Sequence, residues 1–332
     1  MSLKGKSILR MRDLSSSEIN ELVNSAITIK KAPQNKSYPN TKGKKGVCFF
    51  SKSSSRTKSS WEVGTYELGM FNSFNDASSS QLGKKESIRD SGKVFSQFYD
   101  IIGWRCMKYE DVKLLSDSAS IPVINLLCNK NHPTQALCDL MTIKQHFGKI
   151  KGIKVAFVGA CNNNVARSLI EGVISLGGEY IGIGPKHAFP DAAELKFYNQ
   201  LAKKNGGKVS FSTNPKDIKG AKVIYQDVFL DLGESEDLWP ERLTMYKGYQ
   251  VNSSITQYAD KNYIYMHCLP AINGSQSEYS DYVKTKFGKK FPYVKNGEVE
   301  VADAIFTSKH SVVMEQANNR LHAMKAIIKA VL

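Results

Sequence analysis

The chain has 332 residues, enough for two ordinary domains. A composition of 41% hydrophobic and 23% charged residues excludes an intrinsically disordered chain and a collagen-like one. Lys and Arg outnumber Asp and Glu by 46 to 31, for a formal charge of +15. That balance favours anionic partners. The lysines are scattered in pairs such as Lys44-Lys45 and Lys289-Lys290, so much of the charge reads as solvated surface.

In chain order, Ser15 and Glu18 form a capping-box pair that starts a helix carrying Ile19, Leu22, Val23, Ala26 and Ile27. Pro33, Pro39 and Gly43 break it. Val47–Phe50 reads as a buried strand running into a polar loop, Ser51 to Lys58, with a helix from about Ser59. Ile88–Tyr99 is expected to be helical, Asp100–Trp104 and Ile121–Asn125 to be strand segments, and His132-Pro133 to open a helix. A fresh start follows Gly148. Ile153–Gly159 reads as a buried parallel strand, and the loop Ala160–Asn164 leads into a helix. Tyr180–Gly184, Lys208–Phe211, Val223–Phe229 and Tyr263–Cys268 are further strand candidates. A helix over Val312–Val331 closes the chain.

Short apolar runs alternating with helices predict two open, mostly parallel α/β domains. Their boundary is expected near residues 145–151, giving spans 1–148 and 149–311, with 312–332 returning to the first. The six cysteines, at 48, 106, 128, 138, 161 and 268, have no CxxC spacing. The opening lacks an apolar signal core, and no apolar run approaches 18 residues. A reducing cytoplasmic setting without a membrane partner is therefore expected.

Four segments carry chemistry. Ser54-Ser55-Arg56-Thr57 offers hydroxyls, a guanidinium fork and backbone N–H groups suited to a phosphate; the same composition also suits a serine-rich capped surface loop. His132 and Gln135, before and within an apolar helix, suit either a carbonyl and amide pocket or a structural cap. Cys268 in Met266-His267-Cys268-Leu269-Pro270 follows a strand end and is open to three readings: nucleophile, donor near substrate, or small buried hydrophobe. Arg320 on the last helix is an anion contact or a solvated base. Gly182-Ile183-Gly184 is a lone G-x-G, weak as a dinucleotide signal. No spacing indicates a metal.

Taken together, and with Leu3-Lys4-Gly5-Lys6-Ser7, Gln81-Leu82-Gly83-Lys84-Lys85-Glu86-Ser87 and Tyr249-Gln250-Val251-Asn252, these segments closely resemble the aspartate/ornithine carbamoyltransferase family over nearly the whole chain, most of all its ornithine branch. The resemblance implies a carbamoyl phosphate domain followed by an amine-substrate domain, closing over a shared cleft, in a homotrimer that sometimes assembles further. It implies carbamoyl phosphate contacts from Ser54, Ser55, Arg56, Thr57, Gln81, Arg105, His132, Gln135, Cys268, Leu269 and Arg320, with Gln81 reaching a neighbouring subunit's site. Arg56, Arg105, His132, Cys268 and Arg320 take catalytic roles. Asn164, Asp227, Asp231 and Leu232 match the ornithine side.

The implied reaction is attack of a neutral amine on the carbamoyl carbon, giving L-citrulline and phosphate from L-ornithine, or its reverse in arginine breakdown. No metal, organic cofactor or covalent cysteine intermediate is implied. The chain departs from the family pattern at Lys58, Ala160, Asn162 and Asn318, and Asp231-Leu232-Gly233 stands where Ser-Met-Gly is usual. The added charge of Asp231 leaves putrescine open as acceptor. A catalytically inactive basic binding protein on the same fold is the alternative of another class, and nucleic acid lacks a supporting motif.

Overall fold

The computed structural model describes residues 3–33, 36–76, 80–230, 234–274 and 277–332. Among these, the chain divides into two compact units. The first comprises residues 1–148, 163–175 and 317–332, and the second comprises residues 149–162 and 176–316.

In the first unit, the Ser15 hydroxyl accepts the Glu18 N–H while the Glu18 carboxylate accepts the Ser15 N–H, and this box opens α1 (Ser16–Lys31). Its buried stripe is Ile19, Leu22, Val23, Ala26 and Ile29; Ile29, and not Ile27, completes the helical phase. Strand β1 (Lys45–Phe50) is followed by α2 (Ser55–Glu67), β2 (Phe71–Asp76), α3 (Ile88–Phe98), β3 (Ile101–Arg105), α4 (Tyr109–Ser118), β4 (Val123–Leu127) and α5 (Pro133–Phe147).

The expected loop up to Lys58 is a correction. Ser54 is the N-cap of α2 and accepts the Thr57 N–H at 3.3 Å, so the helix begins at Ser55. Two elements of this unit went unforeseen: α4, and β2, a polar strand whose half-exposed residues carry no apolar alternation. The parallel order β2-β1-β3-β4 reverses direction between β1 and β3. Val47, Phe49, Ile102, Trp104, Leu115 and Val123 form part of the core on this sheet. Trp61 of α2 is fully buried against Gly103 of β3, where an added Cβ would meet its ring at 2.8 Å. Helix α6 (Asn164–Ser175) groups with this unit, as does α12 (Val313–Val331) from Ala317 onward.

The second unit contains β5 (Lys154–Val158), β6 (Glu179–Ile183), α7 (Ala192–Asn205), β7 (Lys208–Ser212), β8 (Val223–Gln226), α8 (Trp239–Met245), α9 (Ser253–Thr256), β9 (Ile264–His267), α10 (Glu278–Phe287) and α11 (Asp303–Phe306). Its parallel sheet runs β7-β6-β5-β8-β9 and reverses between β5 and β8. In open parallel sheets, loops at the carboxyl ends beside such a reversal form the binding crevice. The glycines at 182 and 184 serve packing: a Cβ at Gly182 would meet Phe211 at 2.5 Å, and one at Gly184 the Gly159 carbonyl at 2.3 Å. No described helix is long and apolar enough to cross a membrane.

Candidate active site

In the first unit, the carboxyl ends of β1 and β3 flank the reversal point. The segment after β1 delivers Ser54, Ser55, Arg56 and Thr57 in the cap and first turn of α2. The N-terminus of a helix, with its outward N–H groups and positive dipole end, favours an anion, although the Thr57 N–H is taken by the Ser54 cap. Arg105 ends β3, where the register shifts, and is buried; its carbonyl accepts the Ser51 N–H at 2.8 Å, tying the two loops together. Lys58 lies with its ammonium 3.9 Å from the centre of the Phe74 ring.

His132 is the N-cap of α5, with Pro133 at the first helical position. Its backbone N–H donates to the Ser168 hydroxyl at 2.8 Å. Its ring places Nδ1 at 3.3 Å from Thr134 Oγ1 and Nε2 at 3.5 Å from Arg320 Nη1. Burial, then the nearby charges of Arg320, Arg105 and Arg56, holds this imidazole well below the ordinary histidine pKa, so it is neutral at pH 7.

Arg320 on α12 is 4% exposed, which excludes the solvated-base reading. It donates to Gln135 Oε1 at 2.9 Å and to Thr57 Oγ1 at 3.0 Å. Next to it, Asn319 bridges Thr142, Gln145 and Lys30, whereas Asn318 is exposed. A cavity of about 280 Å³ lies among Ser55, Arg56, Ser59, Val63, Asn318 and Arg320. Thr57, Gln135 and Arg320 are thus joined by hydrogen bonds, with the His132 ring against the Arg320 guanidinium and Arg56 and Arg105 close enough to act on it. Gln81 stands apart, exposed in a turn where its carbonyl accepts the Lys84 N–H. Asn164 opens α6 and donates to the Cys128 carbonyl at 2.9 Å.

In the second unit, β8 and β9 pair Gln226 with His267, so Asp227 and Cys268 follow one step beyond the last rung. The Cys268 thiol donates to Asp227 Oδ1 at 2.9 Å, which also accepts the Val228 N–H. The Leu269 N–H donates to His267 Nδ1 at 2.9 Å, leaving the ring proton on Nε2, 3.3 Å from Glu300 Oε1. The Glu300 carboxylate accepts the Ile272 N–H, and the His267 N–H donates to Gln316. These bonds hold Leu269 at φ 58°, a left-handed conformation a branched residue takes only when its neighbours impose it. Asp231 and Leu232 lie outside the described residues.

The carbamoyl-P binding domain of aspartate/ornithine carbamoyltransferase matches residues 6–145, and the Asp/Orn binding domain matches residues 151–331. The chain belongs to the aspartate/ornithine carbamoyltransferase family. It is 39% identical to a catabolic ornithine carbamoyltransferase of Mycoplasma pneumoniae, covering 100% of this chain and 99% of that one. It is 36% identical to a catabolic counterpart from Treponema denticola, covering 99% and 96%. Among solved structures, the ornithine carbamoyltransferase of Pyrococcus furiosus superposes with a TM-score of 0.89 at 34% identity, covering 100% of this chain and 98% of that one.

Sequence reasoning singled out the motif residues of this carbamoyltransferase but missed their supports. Asp139 sits one helical turn after Gln135, a spacing that signals contact. Ser168, Glu300 and Gln316 are distant in sequence and carry no local signal.

Proposed function

We propose that this protein is an ornithine carbamoyltransferase, moving the carbamoyl group of carbamoyl phosphate to L-ornithine to give L-citrulline and phosphate. Full-length similarity to several ornithine carbamoyltransferases described as catabolic favours operation in arginine breakdown, where the reverse reaction supplies carbamoyl phosphate. The observation that carries the reading is the buried set Thr57, His132, Gln135 and Arg320 beside Arg56 and Arg105: three guanidinium groups around a neutral imidazole.

In this reading the first unit holds the donor. The α2 N–H groups with Ser54, Ser55 and Thr57 bind the phosphoryl oxygens, and Arg56, Arg105 and Arg320 balance the charge that grows as phosphate leaves. With the Thr134 hydroxyl donating to Nδ1, His132 carries its proton on Nε2 and donates to the carbamoyl oxygen as it becomes an oxyanion. Gln135 and the Leu269 carbonyl accept from the carbamoyl amino group.

Asp227 binds the α-amino group of ornithine, Asn164 its carboxylate, and Cys268 orients the δ-nitrogen; Asp231 and Leu232 lie outside the described residues. The nitrogen lone pair attacks the carbamoyl carbon, the C–O bond to phosphate breaks, and the nitrogen passes a proton to the departing phosphate. The units correspond to a donor domain and an amine domain. A homotrimer is proposed, supported by Tyr66, 81% exposed on α2, and Phe71, 60% exposed on the edge strand β2.

Initial rates with carbamoyl phosphate and either ornithine or putrescine test the reading. Citrulline formation well above carbamoylputrescine formation supports it. The opposite preference moves the protein to diamine carbamoylation, and no product from folded protein sinks the enzymatic reading.

A further inference from the structure

Gln135 is held at both ends of its amide. Its Nε2 donates to Asp139 Oδ1 at 2.8 Å, and its Oε1 accepts from Arg320 Nη1 at 2.9 Å. A carboxylate only accepts and a guanidinium only donates, so the two partners together fix which end of the amide is oxygen. Either bond alone would leave the side chain free to pivot about the contact; the pair fixes the amide plane. Asp139 is fully buried and stands one turn after Gln135 on α5, so the clamp is part of the helix core.

The chemistry around Gln135 gives the clamp its use. Arg56, Arg105, Arg320 and His132 are donors, matched to phosphate and to the carbamoyl oxygen. A carbamoyl amino group is itself a donor and needs an acceptor. Gln135 Oε1 keeps one lone pair beyond the bond to Arg320, and the clamp gives that lone pair a fixed direction.

Resting on the reading above, we propose that Asp139 is a positioning residue that sets donor specificity. By holding the Gln135 amide in one sense it presents an acceptor to the carbamoyl amino group, and so favours carbamoyl phosphate over acyl phosphates that carry a methyl group at that place. A site built to bond an N–H rejects the analogue lacking it, because the buried acceptor is left unpaired.

Acetyl phosphate, with CH3 in place of NH2, is the probe. The measurement is KM for carbamoyl phosphate beside Ki for acetyl phosphate as competitor, in wild type, D139N, D139L and D139S. The D139N variant keeps an acceptor for Gln135 while losing the charge, whereas D139L and D139S lose the contact. If the clamp sets specificity, D139L and D139S raise KM for carbamoyl phosphate about tenfold with kcat little changed, because the lost bond serves ground and transition states alike. Ki for acetyl phosphate stays constant, and D139N remains within about threefold of wild type.

A parallel rise in KM and Ki overturns the proposal in favour of general damage to the site. D139N as impaired as D139L overturns it in favour of a charge role beside Arg320. Should D139L not fold, D139S reads the same two constants. Absence of carbamoyl phosphate turnover in the wild type would instead defeat the underlying functional reading.

Discussion

His132 and His322 illustrate what burial does to single residues on the same chain. Both imidazoles are pushed down, His132 first by burial and then by three arginines, His322 to about 4 by burial, then Lys325 and Lys30. An unfolded histidine titrates near about 6.5. Below that pH the unfolded chain therefore binds protons that the folded chain refuses, and stability falls as pH falls through the window. His322 lies outside the proposed site, so H322Q isolates the effect. Denaturant unfolding at pH 7 and pH 5 is expected to show a smaller acid loss in H322Q than in wild type, with turnover at pH 7 preserved. Equal losses would place the acid sensitivity elsewhere. In the site itself, R56A is expected to lower kcat by about a hundredfold or more, since it removes a donor matched to developing charge. A melting temperature near wild type, read by circular dichroism, separates this from unfolding.

At the scale of elements, the buried pair between Arg12 and Glu171 fixes α6, whose Ser168 holds the His132 backbone. Burial pushes the Glu171 carboxyl up against the opposing pull of Arg12. R12M leaves that carboxyl buried without its cation and should cost about 3 kcal/mol by denaturant unfolding. The sign of its pH dependence is fixed. A carboxyl raised in the folded state keeps its proton there longer than in the unfolded state, so the R12M penalty grows as pH rises from 5 to 8. A penalty independent of pH would mean that Glu171 finds another cation.

A second element test is G103A, in which the new methyl meets Trp61. Overpacking of about 1–3 kcal/mol is expected, and because Trp61 belongs to the helix that begins at Ser55, turnover should fall with it. The same scale explains what the sequence reading could reach. Val47–Phe50 and Ile153–Gly159 were legible because strands buried on both faces are short apolar runs, whereas β2, with Asn72, Ser73 and Asn75 on a half-exposed edge, has no such signature. Ser54–Thr57, His132-Gln135 and His267-Cys268 were legible because each follows a strand end or opens a helix. Arg320 was legible as a candidate anion contact on an apolar helix, whereas Asn164 came only through family resemblance. Asp139 and Glu300 are supports whose meaning depends on what packs beside them.

At the scale of the whole molecule, the proposed trimer makes a prediction that no single chain can satisfy. Family resemblance assigns Arg56 to one subunit's site and Gln81 to a neighbour's, and Gln81 is exposed in its own subunit. R56A and Q81A homotrimers would then each lack one component at every site. When the two are dissociated, mixed in equal amounts and reassembled, a site is intact only where an Arg56-bearing chain meets a Gln81-bearing neighbour in the right order. Closed cyclic symmetry makes that about a quarter of all sites in a random mixture. Turnover recovered on mixing, at about a quarter of the wild-type value, is the expected result, with molar mass by light scattering confirming three chains. Charging these exposed apolar residues with Y66E and F71E in both chains should abolish both the mass and the recovery, because the burial that would join the chains is then opposed by desolvation of two carboxylates. Activity that stays at the sum of the separate variants, in particles that have demonstrably exchanged subunits, would show that each chain builds its site alone.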